Sequence, residues 1–183
     1  MHRQKILLYL LLALSACSAS ANETAGPLTT VGSIDVPRYM GTWYEIAKYP
    51  NQFQKKCLSN TRADYSTQAS GTVRVVNRCA TKEGEVSEAI GEARQIGNST
   101  SPKLEVRFAP AWTSFLPFVW GNYWVIDLDP AYQLVAVSEP KREYLWILSR
   151  TPDLPPKDYS DLIVRLQKKG FDTSKLERTA HGK

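Results

Sequence analysis

Histidine is almost missing from this chain. His2 and His181 are the only two among 183 residues, one in the leader and one in the tail. A histidine-ligated metal site or a Ser–His–Asp triad needs imidazole in the folded body, so both classes are set aside, and no metal or cofactor is expected. Cysteine is scarce as well, at three residues. No apolar run reaches the roughly 20 residues that a membrane-spanning helix requires. Positive charge is not concentrated: 23 Lys and Arg are scattered among 18 Asp and Glu, for a formal net charge of +5. That distribution describes a solvated surface and not a nucleic-acid partner. No internal repeat, low-complexity segment or second domain is visible, and the length fits one domain.

What is there begins with a leader. MHRQK is a short positive segment, and ILLYLLLAL follows at 6–14. Together they fit the n- and h-regions of a secretory signal peptide. The ending Leu14-Ser15-Ala16-Cys17 resembles the bacterial lipobox, in which small residues enter a peptidase cleft and the cysteine receives a diacylglyceryl group. The alternative is an ordinary signal peptide with a chance cysteine. The resemblance implies a leader over 1–16 and lipidation at Cys17. Several acyl chains anchor far more firmly than one, at about 0.8 kcal/mol per buried methylene. Ser18 follows the cysteine where an Asp is absent, which resembles an outer-membrane sorting signal. Residues 17–33 are small and polar, and read as a lipidated tether of about 50 Å extended reach. The folded domain is expected over 34–183.

In that domain, β-rich runs recur about every ten residues between turn signals. They are TWYEIAKY (42–49), TRADYS (61–66), TVRVVNRCA (72–80), EVSEAIGEARQI (85–96), KLEVRFA (103–109), YWVIDLD (123–129), YQLVAVSE (132–139) and YLWILSR (144–150). From Pro156, residues Tyr159, Leu162, Ile163 and Leu166 recur at helical spacing, with Gly170 as the stop signal. Eight strands with short links close best into an antiparallel up-and-down β-barrel, which leaves no exposed edge. One amphipathic C-terminal α-helix then packs outside it. An eight-stranded sandwich is the alternative.

Three stretches carry a family resemblance. Gly41-Thr42-Trp43-Tyr44 resembles the Gly-x-Trp signature on the first strand of lipocalins. Tyr123 to Asp129 resembles their second motif and Leu148-Ser149-Arg150 their third. RYMGTWYEIA and EYLWILSRTP look especially like the bacterial outer-membrane lipocalins and the apolipoprotein D-like branch. The likeness covers about residues 34–175. It departs at the second motif, where Leu128-Asp129-Pro130 stands in place of the frequent Thr-Asp-Tyr.

The resemblance implies structural roles for Gly41, Trp43, Asp129 and Arg150, with Trp43 plugging a closed end under the Arg150 guanidinium. It implies a lumen lined by Tyr123 and Trp146. Strand parity adds Val125 and Asp127 beside Tyr123, Leu148 beside Trp146, and Glu45 and Ala47 in the row of Trp43. At the mouth it places Phe53 and the loop PAWTSFLPFVWG, including Phe118. So apolar a loop meets ligand, membrane or a second subunit in a homodimer, unless it folds down as a plug. Cys57 and Cys79 flank a hairpin and suit a disulfide in an oxidising compartment. The function implied is binding, storage or transport of a fatty acid or lysophospholipid at the periplasmic face of the outer membrane, under envelope stress. The rival is a lipid-directed enzyme using Glu45 and Asp127, or a thiol of the kind in lipocalin-type prostaglandin D synthase. With its two histidines in the leader and the tail, the chain is expected to hold none in the folded body to activate that thiol. A third reading is an interaction module built on the aromatic loop.

Overall fold

The computed structural model describes residues 26–82 and 84–182. A four-residue helix, α1 (Val36–Tyr39), leads into eight strands: β1 (Gly41–Lys48), β2 (Ser59–Thr67), β3 (Val73–Ala80), β4 (Val86–Gln95), β5 (Lys103–Arg107), β6 (Gly121–Leu128), β7 (Leu134–Ser138) and β8 (Leu145–Ser149). Each pairs antiparallel with the next, and β8 returns to β1, where Tyr44 faces Ser149. The sheet is thus a closed barrel, as the strand count and turn spacing imply. The helix α2 (Pro156–Lys168) packs outside.

Two apolar layers hold this arrangement. The inner one fills the lower barrel around Trp43, with Val125, Val135, Val137 and Leu148. The outer one lies between α2 and the wall, with Ile46, Ala47, Ile126, Ala136, Ile147, Leu162 and Leu166. Strands β7 and β8 border both layers, so they are buried on both faces and read as nearly continuous apolar runs. Leu162 and Leu166 are fully buried, each contributing about 1.5–3 kcal/mol. Gly170 ends the helix at φ +82°. Its N–H donates to the Gln167 carbonyl at 2.9 Å, and the Phe171 N–H donates to Leu166 at 3.1 Å. These bonds form a Schellman cap, with Phe171 buried over the last turn.

Two β-bulges change which face later residues occupy. In β1 the register passes from Glu45↔Leu148 to Ala47↔Ile147, and in β6 from Val125↔Val137 to Asp127↔Ala136. Each bulge inserts one residue, Ile46 and Ile126 respectively, so the alternation restarts on the other face. Ala47, expected in the lumen, therefore faces α2. Asp127, also expected inside, lies on the outside, where its carboxylate accepts from Arg165 at 2.8 and 3.0 Å.

Both chain ends depart from expectation. Residues 26–33, read as the end of a tether, pack against the barrel. Leu28 is buried in the outer layer, and the Val31 N–H donates to the Val125 carbonyl. A ninth strand, β9 (Glu177–Arg178), adds to the upper half of β1. Next to it, Ala180 bridges Ser59 at the start of β2. The tail thereby fills the gap where β1 and β2, paired only over Gly41–Tyr44, diverge. No helix among the described residues is long and apolar enough to cross a membrane. Cys17 and the rest of the leader lie outside the described residues.

Candidate functional site: a lumen closed at one end

The closed end is built around Trp43. Its Nε1 donates to the Tyr39 carbonyl at 2.8 Å. The Arg150 guanidinium lies 3.9 Å above its ring. That guanidinium also donates to the carbonyls of Arg38, Thr42 and Tyr132 at 2.7, 3.0 and 3.2 Å. It thus ties α1, β1 and the β6–β7 turn together. Gly41 sits beside it at φ +95°, and a Cβ there would lie 3.3 Å from Arg150 Nη1. Conformation and space both call for glycine. The Asp129 carboxylate accepts from the N–H groups of Ala131, Gln133 and Leu134. It closes the β6–β7 turn through its side chain, which explains why Asp-Pro serves there.

Above this layer runs a cavity of about 830 Å³. It extends from Ile34, Val36 and Met40 at the closed end to Phe53, Phe118 and Lys141 at the other. Of the residues expected in the lumen, Tyr123, Trp146, Leu148 and Glu45 line it, and Phe53 and Phe118 stand at its rim. Val125 is inside the barrel but fully buried in the layer around Trp43, beneath the cavity surface. Ala47 and Asp127 are on the far side of the wall for the reason given above.

Three phenols meet toward the closed end. The Tyr123 hydroxyl lies 2.8 Å from that of Tyr39 and 3.1 Å from that of Tyr65. Tyr39 in turn packs 5.1 Å from Trp43. Burial holds all three well above the ordinary tyrosine pKa, so they stay protonated. The Tyr123 hydroxyl thus reaches across the barrel to these partners and away from the mouth.

The upper wall is organised by Gln54, in the turn after β1. Its Nε2 donates to the Glu45 carboxylate at 2.6 Å, and its Oε1 accepts from Trp146 Nε1 at 2.9 Å. Trp146 is thereby fixed in orientation. It stacks on Tyr144 at 5.8 Å, and Tyr144 meets Phe53 at 5.4 Å, forming an aromatic row from rim to interior. Glu45 is 2% exposed. Its second oxygen accepts from the Thr179 hydroxyl at 2.6 Å. Desolvation raises its pKa, opposed by the hydrogen bonds from Thr179 and Gln54.

Around the mouth the loop after β5 presents Trp112, Phe115 and Phe118 to solvent, at 75%, 75% and 80% exposure, so these rings do not fold down as a plug. Trp120 is held differently, with the Arg94 guanidinium 4.0 Å from its ring and its Nε1 donating to Ser114. Cys57 and Cys79 form a disulfide, with Cα atoms 5.4 Å apart, tying the β1–β2 loop to β3. Neither is a free thiol. Glu45 and Asp127 lie on opposite faces of the wall, so they do not form a carboxylate pair. No metal-binding cluster exists among the described residues.

Tyr39, Tyr65, Gln54 and Thr179 were missed from sequence. Tyr65 alternates with Ala63 on β2, and that parity could have found it. Gln54 and Thr179 carry no local signal, because a turn and the chain's tail bring them to Glu45.

A family profile described as a lipocalin-like domain matches residues 34–181. Temperature-induced lipocalin-1 of Arabidopsis thaliana is 39% identical over 155 residues, covering 83% of this chain and 82% of that protein. Outer membrane lipoprotein Blc of Escherichia coli strain K12 is 37% identical over 162 residues, covering 88% and 86%. Among solved structures, insecticyanin from the tobacco hornworm Manduca sexta superposes with a TM-score of 0.66 at 19% identity, covering 85% of each chain.

Proposed function

Because this chain belongs to the lipocalin-like family, we propose that it binds one single-chain lipid, a fatty acid or lysophospholipid, inside its barrel and stores or carries it. The observation that carries this reading is the lumen itself. About 830 Å³ is enclosed mainly by apolar and aromatic side chains, with a few fixed polar groups. That combination suits a flexible chain better than a polar metabolite. The likeness to an outer membrane lipoprotein and the Leu14–Cys17 lipobox support a place at the periplasmic face of the outer membrane, anchored through acylated Cys17. The role that follows is lipid handling during envelope stress. An enzymatic reading has less support, since Glu45 and Asp127 are separated and Cys57 and Cys79 are bonded to each other.

Trp146 decides the matter. Trp146→Arg fills the upper lumen and puts a charged side chain where an acyl chain would lie. In a titration with a fluorescent fatty acid, the folded Arg variant loses binding, whereas Trp146→Phe keeps most of it. Circular dichroism establishes that each variant is folded. If the folded Arg variant binds as the parent does, the ligand is not in the barrel. The exposed rim of Trp112 and Phe115 then becomes the site for lipid or for a second subunit.

A further inference from the structure

The three phenols at the closed end carry more hydrogen-bond donors than they use. Tyr39, Tyr65 and Tyr123 each hold one O–H proton. Only two hydroxyl–hydroxyl contacts join them, both through Tyr123. Whichever way the protons turn, two are donated within the group and one is left over. Among the described residues no other acceptor lies within hydrogen-bond reach of any of the three oxygens. Tyr39 and Tyr65 are 3% and 9% exposed, and all three rings border the cavity. The surplus O–H therefore has one direction in which to find a partner, up into the lumen.

We propose that these three tyrosines form a polar subsite, which takes an uncharged oxygen carried at the end of the lipid chain that enters first. This rests on the reading of the lumen as the lipid site. The fitting ligand class is an acyl chain oxygenated at or near its methyl end, by a hydroxyl or an oxo group. A plain hydrocarbon end leaves a buried donor without a partner. A carboxylate fits poorly for another reason. The nearest cation, Arg150, lies against Trp43 with three of its five N–H groups donated to backbone carbonyls and makes no hydrogen bond to any of the three phenols. An anion at the subsite would be stripped of water with no countercharge in contact with it, since Arg150 acts on the phenols only through space. The phenols cannot supply one either, because burial keeps them neutral donors.

The proton count makes an unusual prediction. Removing one outer hydroxyl, as in Tyr65→Phe, removes one donor and one contact together, and the surplus of one remains. Only the triple variant Tyr39→Phe/Tyr65→Phe/Tyr123→Phe abolishes it. Removing both partners of each bond while keeping the ring shapes is close to neutral for folding. The experiment is displacement of a fluorescent fatty acid by hexadecanoic acid and by 16-hydroxyhexadecanoic acid, from the parent and both variants. The triple variant binds hexadecanoic acid more tightly than the parent does, because no buried donor is then left unpaired, and that binding also shows that its lumen is intact. It binds the hydroxy acid about tenfold more weakly than the parent does. Tyr65→Phe keeps the parent's ratio of the two affinities. An unchanged ratio in the triple variant overturns the subsite. A tenfold loss of hexadecanoic acid as well overturns it in favour of a carboxyl group entering first. If the parent binds neither acid, the lumen reading fails and the subsite with it.

Discussion

Glu45 is a carboxylate placed where ionisation is expensive, and Glu45→Gln measures that cost. The side chain is 2% exposed and held by two neutral donors, Gln54 Nε2 and the Thr179 hydroxyl, at 2.6 Å each. Among the described residues no cation forms an ion pair with it. Lys48, nearby, pairs with Glu177 instead at 3.0 Å. Burial is the largest influence and raises the folded-state pKa above the ordinary 4.5. In the unfolded chain the ordinary value applies. Between the two pKa values the folded state keeps a proton that the unfolded state has released. Stability from this group is thus fully present below pH 4.5 and is lost as pH rises through the folded pKa. Glutamine cannot ionise, yet its oxygen can accept from Gln54 while its amide donates to the Thr179 hydroxyl. The variant should therefore match the parent at pH 4.5 and exceed it by about 1–3 kcal/mol at pH 8, the cost of a poorly compensated buried polar group. The assay is urea denaturation of both proteins at intervals between those pH values. Charge on Lys48 and on His181, whose ring nitrogen meets the Glu45 carbonyl at 2.7 Å, lowers the Glu45 pKa against the larger effect of burial and so reduces the difference without reversing it. A difference that does not grow with pH would refute the reasoning.

Replacing Cys57 and Cys79 by serine opens a link between residues 22 apart and should cost about 3 kcal/mol in the chain-entropy picture, read as a lower denaturation midpoint. Alkylation of the unreduced parent should modify neither sulfur. Arg150→Lys keeps the charge but loses the planar fork that serves three carbonyls. A loss of about 2 kcal/mol is expected, and full stability in the lysine variant would show that charge alone matters. Cys17→Ser should move the protein from membrane pellets to the soluble fraction while leaving lipid binding by the folded domain unchanged. Continued sedimentation with membranes would remove the proposed anchor.

Much of the barrel was legible because half-buried strands alternate and turns punctuate them. Leu104 and Val106 on β5, or the Asp129-Pro130 turn, signal their environment without help from distant residues. The errors have a physical pattern. Counting by twos from Trp43 reaches Glu45 correctly and then fails at Ala47. The same count from Tyr123 fails at Asp127. One inserted residue in each strand reverses the face, and no side-chain preference marks Ile46 or Ile126 as a bulge. Val125 shows a different limit, since parity separates inside from outside but not packed floor from open cavity. The disulfide could be read because both cysteines flank one hairpin. Tyr39 could not, because it precedes the first strand and enters the site only when α1 folds beneath the barrel. Strand β9 was invisible because two residues have no periodicity, and their order comes from β1, about 130 positions earlier.

That last strand sets the order in which the protein can be completed. The upper half of β1 parts from β2, and residues 177–180 stand in the opening, with the Asn60 and Thr179 N–H groups bonded across it to Ala180 and Ile46. A chain emerging from its amino end can pair β1 through β8 before any of this segment exists. Until then the wall has a slit in its flank, and the Glu45 carboxylate lacks one of its two donors. For that interval the lumen communicates with its surroundings sideways as well as through the mouth. The tail is the final stave, and the vessel becomes a one-door container only when it is seated.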